Sequence, residues 1–435
     1  MDYPHVEFTK EMKKDYTILI PTMLPTHFQI IVKIFNLYGY KAELLETTHH
    51  AIVDEGLKYV HNDACYPALL VIGQMIDALK SGKYDLNKVA LMITQTGGGC
   101  RASNYISLLR KALIKNNLQH IPIISLNFSG LEKNSGFKIT LPLLIKAALA
   151  ILYGDMLLWI GNQCKPYEIH KGDTNAKIKW WGDYLSSVSG SKDYLSINHI
   201  YKKILDDFAS VPMEKTEKPK VGIVGEIYLK YSPLGNNGLE EYLVQEGAEP
   251  VVSGLMDFCL YCIYNAFVDK ELYGKKSPLS YAAFKIAYRF VLKKQQNIID
   301  CITEHGVFDP PSRFPELVEG VKGYIGLGTK MGEGWLLTGE MLELIHTGVN
   351  NIVCAQPFGC LPNHIVAKGM VRKIKNVYPD ANIVAVDYDP GATRINQENR
   401  LKLMLATARQ QMQEKENSVT RETKTPVSEQ TEQAV

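Results

Sequence analysis

The sequence predicts an α/β protein with two domains, each built on a parallel sheet, together with helical insertions. Short apolar runs alternate with segments of helical periodicity, which is typical of parallel strands joined by crossover helices. The alternation occurs twice, once on each side of a charged segment that carries two prolines. The length of 435 residues, at roughly 150 residues per domain, allows two or three domains.

The first predicted domain covers residues 1–208. Each strand is a short run of apolar residues, and each helix repeats its apolar residues every three to four positions. Two further helical stretches, 140–185 and 197–208, complete the domain. The predicted order is strand 16–21, helix 27–38, strand 41–46, helix 67–79, strand 89–94, helix 104–115 and strand 121–126.

The second predicted domain covers residues 221–411 and follows a linker at 209–220, PMEKTEKP in its centre. A mostly helical insert at about 256–330 interrupts its alternation. Residues 412–435 have almost nothing to bury and are predicted to form a disordered tail. The predicted order is strand 220–224, helix 238–246, strand 249–253, the insert, helix 335–346, strand 351–355, helix 365–377, strand 382–387 and helix 393–411.

Composition excludes several classes of protein. The 48 basic and 46 acidic side chains give a net charge of only +2, so no basic field favours nucleic acid. The amino terminus lacks the pattern of a secretory signal, which predicts a cytoplasmic protein. Lys146 and Asp155 interrupt the most apolar stretch, 141–160, so we expect a buried helix and no membrane span. In a reducing compartment, cysteines are expected as thiols or metal ligands.

Three of the 8 cysteines lie in similar surroundings. Cys65 precedes a predicted helix, and Cys100 and Cys360 follow predicted strands in loops rich in glycine or proline. Ligands of open parallel sheets bind beyond the carboxyl ends of the strands. We therefore predict that the three sulfur atoms converge in a cleft between the domains.

These loops favour a metal cluster over ordinary packing. Glycine lets the backbone approach closely and aim its N–H groups at anionic sulfur, and thiols at helix amino termini are expected to have a lowered pKa. The predicted cofactor is a [4Fe–4S] cluster or a larger iron–sulfur cluster. The alternative is that the cysteines are small buried side chains. The glycines expected beside the cofactor are Gly97, Gly98, Gly99 and Gly359.

Other candidates are weaker. Cys354 packs in a predicted strand, with a fourth-ligand role as the alternative, and His61 and His364 lie near the cysteines as candidate proton donors. Cys259 and Cys262 form a C-x-x-C without a second pair, which argues against zinc. The glycine-rich run at 323–334 fits no nucleotide-binding motif, so a flexible loop and an anion site both remain open.

The segments HNDACYPALLVIGQ, TQTGGGCRASNY and GEGWLLTGEMLELIHTGVNNIVCAQPFGCLPNHI resemble the 2-hydroxyacyl-CoA dehydratase superfamily, and within it the activase-related branch. The resemblance covers most of residues 15–405. It implies two Rossmann-like domains and a [4Fe–4S] cluster in the cleft, with Cys65, Cys100 and Cys360 at the matching positions.

The resemblance also implies an activity. Dehydratases of this superfamily receive one electron from an ATP-dependent activator and eliminate a hydroxyl group from an acyl-CoA through a radical. The expected partners are therefore an activator, a second subunit or a second copy of the chain, and an acyl-CoA substrate. The alternatives are an accessory electron-transfer or cluster-carrying protein and a reductase of small molecules with a double-cubane cluster. This chain has no ATPase domain, so any activator is a separate protein.

Overall fold

The structure, a computed structural model, describes residues 5–61, 64–95, 99–126, 134–274 and 277–424. It is mixed α/β, with 59% helix and two separate four-stranded parallel sheets. The predicted fold class is confirmed: two Rossmann-like sheets with helical insertions.

The first sheet has the strand order β2-β1-β3-β4, with every neighbouring pair parallel. Its central strands are continuous apolar runs because helices cover both faces, so neither face meets water. The elements are α1 (Met12–Asp15), β1 (Thr17–Pro21), α2 (Pro25–Leu37), β2 (Lys41–Leu45), α3 (Ala51–Tyr59), α4 (Tyr66–Lys80), β3 (Val89–Thr94), α5 (Tyr105–Lys115) and β4 (Ile123–Leu126).

Three helices connect the two sheets: α6 (Leu141–Cys164), α7 (Asp173–Val188) and α8 (Ile197–Ala209). Among the described residues, α6 is the single helix long and apolar enough to cross a membrane, and 56% of its most apolar window is buried inside the protein. That burial is compatible with the core helix of a soluble protein, because α6 packs against α2 and α8.

The second sheet repeats the order of the first, β6-β5-β7-β8, again all parallel. The predicted insert consists of three helices, α12 to α14. The elements are β5 (Lys220–Gly225), α9 (Ile227–Tyr231), α10 (Pro233–Asn236), α11 (Leu239–Gln245), β6 (Glu249–Val251), α12 (Leu255–Tyr273), α13 (Pro278–His305), α14 (Phe314–Gly320), α15 (Trp335–His346), β7 (Asn351–Pro357), α16 (Val371–Val377), β8 (Asn382–Tyr388) and α17 (Arg394–Lys424).

The two halves share a hydrophobic core. One cluster of buried side chains contains Leu91 and Tyr105 from the first half together with Tyr228, Leu255 and Val353 from the second. In each sheet, the second strand in chain order pairs with one edge of the first strand, and the third strand pairs with the other edge, so the winding direction reverses there. Ligands of such sheets bind beside that reversal, beyond the carboxyl ends of the strands.

Two helices differ from the predicted ones. The helix predicted at 365–377 begins with a π-helical turn, Asn363–Ala367, and a 3-10 turn, Lys368–Met370, before α16. The last helix, α17, extends through Lys424 and so includes the start of the predicted tail. The sequence there is rich in Glu, Gln, Lys and Arg, which favour helix even where nothing is buried. Residues 425–435 lie outside the described residues.

Candidate functional site

Cys65 and Cys360 lie on loops that touch across the two halves. Cys65 is the residue before α4, and Cys360 follows β7. The backbone N–H of Tyr66 donates a hydrogen bond to the carbonyl oxygen of Phe358 at 3.2 Å. Both cysteines are buried. The loop that opens α4 and the loop that leaves β7 are thus joined directly.

Cys100 belongs to the loop after β3 and faces the second half. The N–H of Gly99 points at the sulfur of Met331 at 3.1 Å. A Cβ atom placed on Gly332 would lie 3.7 Å from Cys100 Sγ and 3.2 Å from Cγ of Pro362. The glycine-rich loop before α15 therefore lies against both Cys100 and the segment that carries Cys360.

Two buried glutamates accompany the cysteines. Glu226 directly follows β5 and accepts a hydrogen bond from the N–H of Leu229 at 2.9 Å, which caps α9. Glu333 lies just before α15 and accepts from the N–H of Ile227 at 3.1 Å. The first turn of one short helix therefore holds both carboxyl groups.

Sequence reasoning did not find these glutamates. Glu226 could have been found, because it stands at the carboxyl end of a strand where ligand-binding residues concentrate. Glu333 lies in the glycine-rich run whose role remained open. Its burial depends on contacts with α9 that no local pattern reveals.

The surroundings of Cys65 and Cys360 raise the pKa of their thiols, whereas the sequence predicts a lowered pKa. Burial raises the pKa of the Cys65 thiol, and the charges of Glu226, Cys100 and Glu333 raise it further. Burial also raises the pKa of Cys360, with Glu333 as the next largest cause. The predicted lowering of the thiol pKa values is therefore wrong for these two. A helix terminus contributes only about 0.3–1 kcal/mol, whereas burial shifts a pKa by several units.

The carboxyl groups are affected in the same way. Burial raises the pKa of Glu226, and the neighbouring Glu333 raises it further. Burial likewise raises the pKa of Glu333, against the hydrogen bond from Ile227. Acidic groups crowded in a desolvated cleft are most stable beside a cation. The donor set of thiols and carboxyls thus fits a positively charged metal or cluster core, whose binding would release protons.

Tyrosine hydroxyl groups hydrogen-bond to Cys65 and to the glycine-rich loop. The hydroxyl of Tyr105 donates to Sγ of Cys65 at 3.3 Å. The hydroxyl of Tyr261 lies 2.8 Å from the carbonyl oxygen of Lys330 and 3.0 Å from that of Gly332. Gly334 is required in this loop, because its φ is +47° and a Cβ would lie 2.3 Å from the carbonyl oxygen of Thr329. The loop that positions Glu333 is therefore held in one conformation.

The predicted glycines have different positions. Gly97 and Gly98 lie outside the described residues. Gly99 is exposed and binds the Met331 sulfur, as described above. Gly359 has a φ of +75°, a conformation that favours glycine, and it allows the chain to turn between β7 and Cys360.

The candidate histidines are both exposed. His364 has a defined tautomer, because the carbonyl oxygen of Cys360 lies 2.8 Å from Nδ1 and can only accept. Nε2 therefore accepts from the amide of Gln356, also at 2.8 Å, and that amide donates to Asp387 as well. His364 thus braces the Cys360 loop. His61 lies at the end of the segment after α3, next to two residues that the structure does not describe.

The other cysteines have separate surroundings. Cys354 is fully buried in a different core cluster, and its thiol donates to Oδ1 of Asn363 at 3.3 Å. Cys164 is also fully buried, and Cys301 is half-buried. On α12, Cys262 is exposed.

The described cysteines, histidines and acids contain no group of three or more that would hold a single metal ion. A [4Fe–4S] core binds each thiolate at a different iron atom, so its ligands are spread over the faces of the core. No protein-family model and no curated protein matches the chain.

Proposed function

We propose that this chain is an iron–sulfur protein that binds a [4Fe–4S]-type cluster through Cys65, Cys100 and Cys360. The observation that supports the proposal is that the loop of Cys65 contacts the loop of Cys360, and one glycine-rich loop lies against both Cys100 and Pro362, beside two buried glutamates. Cys65 and Cys360 are 295 residues apart in the sequence, yet their loops are hydrogen-bonded to each other. Packing alone gives no reason for this proximity.

The proposed activity is radical dehydration, or reduction, of an acyl-CoA type substrate. A cluster held by Cys65, Cys100 and Cys360 would supply one electron at a time and would leave one iron without a protein thiolate. The chain's residues hold and shield this site. Tyr105 donates to the sulfur of Cys65 at 3.3 Å. Glu226 and Glu333 are placed to hold a proton beside the thiols.

The proposal includes partners. The electron would come from an ATP-dependent activator. A second subunit or a second copy of the chain would complete the assembly. These partners follow from the resemblance of the cysteine-bearing segments to the dehydratase superfamily.

A second candidate is an accessory protein that carries the cluster or its electrons. A cavity of about 410 Å³ lies away from the thiols. It is lined by Lys220 and Glu249, the first residues of β5 and β6. The cavity is therefore at the amino-terminal edge of the sheet, whereas Cys360 is at the carboxyl edge.

The deciding experiment is anaerobic purification followed by iron and sulfide analysis and EPR of the reduced protein. We expect about four irons per chain, and we expect that Ser at position 65, 100 or 360 loses most of them. Cys164→Ser is the matched control, because Cys164 is buried like Cys65 and Cys360 but lies at the end of α6. Unchanged iron in all three variants, or no iron in the wild type after reconstitution, would refute the proposal. Turnover of an acyl-CoA with an activator then separates enzyme from carrier.

A further inference from the structure

In the helical hairpin formed by α12 and α13, one face of α13 is packed against α12. The rings of Tyr281 and Tyr288 on α13 lie 5.5 and 5.4 Å from the ring of Phe267 on α12. The ammonium group of Lys270 stacks over Tyr281 at 3.7 Å. These contacts occupy the inner face of α13 along its first half.

The opposite side of the same half is apolar and uncovered. Leu279, Ile286 and Phe290 are 83%, 70% and 40% exposed. Their spacing of seven and four residues places them on one side of a helix with 3.6 residues per turn. Single exposed apolar side chains are ordinary, but a continuous stripe on a helix that already has a packed face marks an interaction site. We call these three residues the outer stripe.

Positive charges border the outer stripe. Residues 278–294 contain Lys285, Arg289, Lys293 and Lys294 and no acidic residue. In the described part of the chain, none of these four forms an ion pair with a carboxylate. The ammonium group of Lys294 lies 5.9 Å from the centre of the Phe290 ring. A partner that carries carboxylates on both sides of an apolar ridge is complementary to this surface.

We infer that the outer stripe docks an acidic amphipathic helix of a partner protein. A second copy of this chain would bring like charges together. An anionic bilayer along α13 would meet Asp300 and Glu304, which are exposed on the same side toward the end of the helix. A partner helix covers the stripe and its cations without reaching those acids.

The base of the hairpin touches the glycine-rich loop. A Cβ atom on Gly328 would lie 2.9 Å from Cδ1 of Leu272 at the end of α12, so the hairpin rests on the loop that carries Glu333. The inference does not depend on the presence of a cluster.

The test uses the full chain and a fluorescent synthetic peptide about five turns long, with Leu at helical spacing and Glu on both flanks. A twin peptide has Lys in place of Glu. We expect the acidic peptide to bind, with an affinity that falls as salt is added. Ile286→Asp and Arg289→Glu should each weaken binding about tenfold. The matched controls are Ile395→Asp, at a site 67% exposed, and Arg372→Glu.

Equal binding of the two peptides, or wild-type affinity in both α13 variants, would overturn the inference. So would binding to phosphatidylserine vesicles that Ile286→Asp abolishes, because the surface would then be a membrane site. A dimer in light scattering that the same variant dissociates would identify a second copy as the occupant. Far-UV circular dichroism should be unchanged in every variant, because the substituted side chains are exposed.

Discussion

One buried carboxylate links the two halves, and removing it should cost measurable stability. Asp155 on α6 accepts hydrogen bonds from the N–H groups of Leu255 and Met256, at 2.8 and 2.9 Å, at the start of α12. It also contacts Nε2 of His27 at 2.9 Å. Asp155→Ala would leave two buried backbone donors and a buried imidazole without their acceptor.

The expected loss follows from these contacts. A buried donor left unsatisfied costs about 1–3 kcal/mol, so we expect Asp155→Ala to lower the free energy of unfolding by about 4 kcal/mol. Asp155→Asn retains one acceptor oxygen and should lose about half as much. Urea unfolding followed by circular dichroism and tryptophan fluorescence measures both values.

The matched control is Asp54→Ala. His50 and Asp54 also form a histidine–aspartate pair, at 3.9 Å, but both side chains are exposed. Exposed pairs contribute about 0–1 kcal/mol, so this variant should unfold nearly as the wild type does. If Asp155→Ala costs no more than Asp54→Ala, the reasoning about buried backbone donors is wrong.

Three further outcomes are expected. Lys230→Met should destabilise the protein by about 3–5 kcal/mol, because Glu340, 2.7 Å from Lys230 Nζ, would remain buried without its cation. Adding Glu340→Met should recover most of the lost stability. If the double variant shows no recovery, this account of the pair is wrong. Burial raises the pKa of Glu343 to about 7 from its ordinary 4.5. Its protonation therefore stabilises the fold below pH 4.5, and this contribution is lost as the pH rises to 7. Thermal melting from pH 4.5 to 8 should show a flatter profile in Glu343→Gln, whereas an identical profile would exclude Glu343 as the cause. Titration of the metal-free protein with iron and sulfide should release protons and load less completely at low pH, because burial raises the pKa of Cys65 and Cys360; pH-independent loading would count against both thiols as ligands.

The fold could be predicted because its signals are local. A buried parallel strand is a short apolar run, as in Val89–Thr94, and a covering helix has its own period. Both sheets and their parallel direction follow from the alternation of these patterns. Low hydrophobicity predicts a disordered tail from residue 412, whereas α17 extends through Lys424. Residues such as Glu414, which accepts from Gln410 four residues earlier, form a helix by propensity and local hydrogen bonds.

The site could be predicted only in part. Cys65, Cys100 and Cys360 stand out because cysteine is rare and their loops contain glycine or proline. Glu226 and Glu333 do not, because a glutamate beside a turn usually lies on the surface. Their burial results from contacts between segments about a hundred residues apart, such as Glu333 with the N–H of Ile227. The pKa values of the Cys65 and Cys360 thiols differ from the expectation for the same reason, because burial outweighs the effect of a helix terminus.

The hydrogen bond between Tyr66 and Phe358 has a consequence for synthesis of the chain. A ribosome adds about 5–20 residues each second, so the second partner emerges roughly 15–60 s after the first. During that interval α4 and its apolar neighbours lack the surface that covers them. Contacts this distant in sequence also slow folding. The newly made first half is therefore the species most exposed to aggregation and to oxidation of Cys65, and chaperone binding should concentrate there.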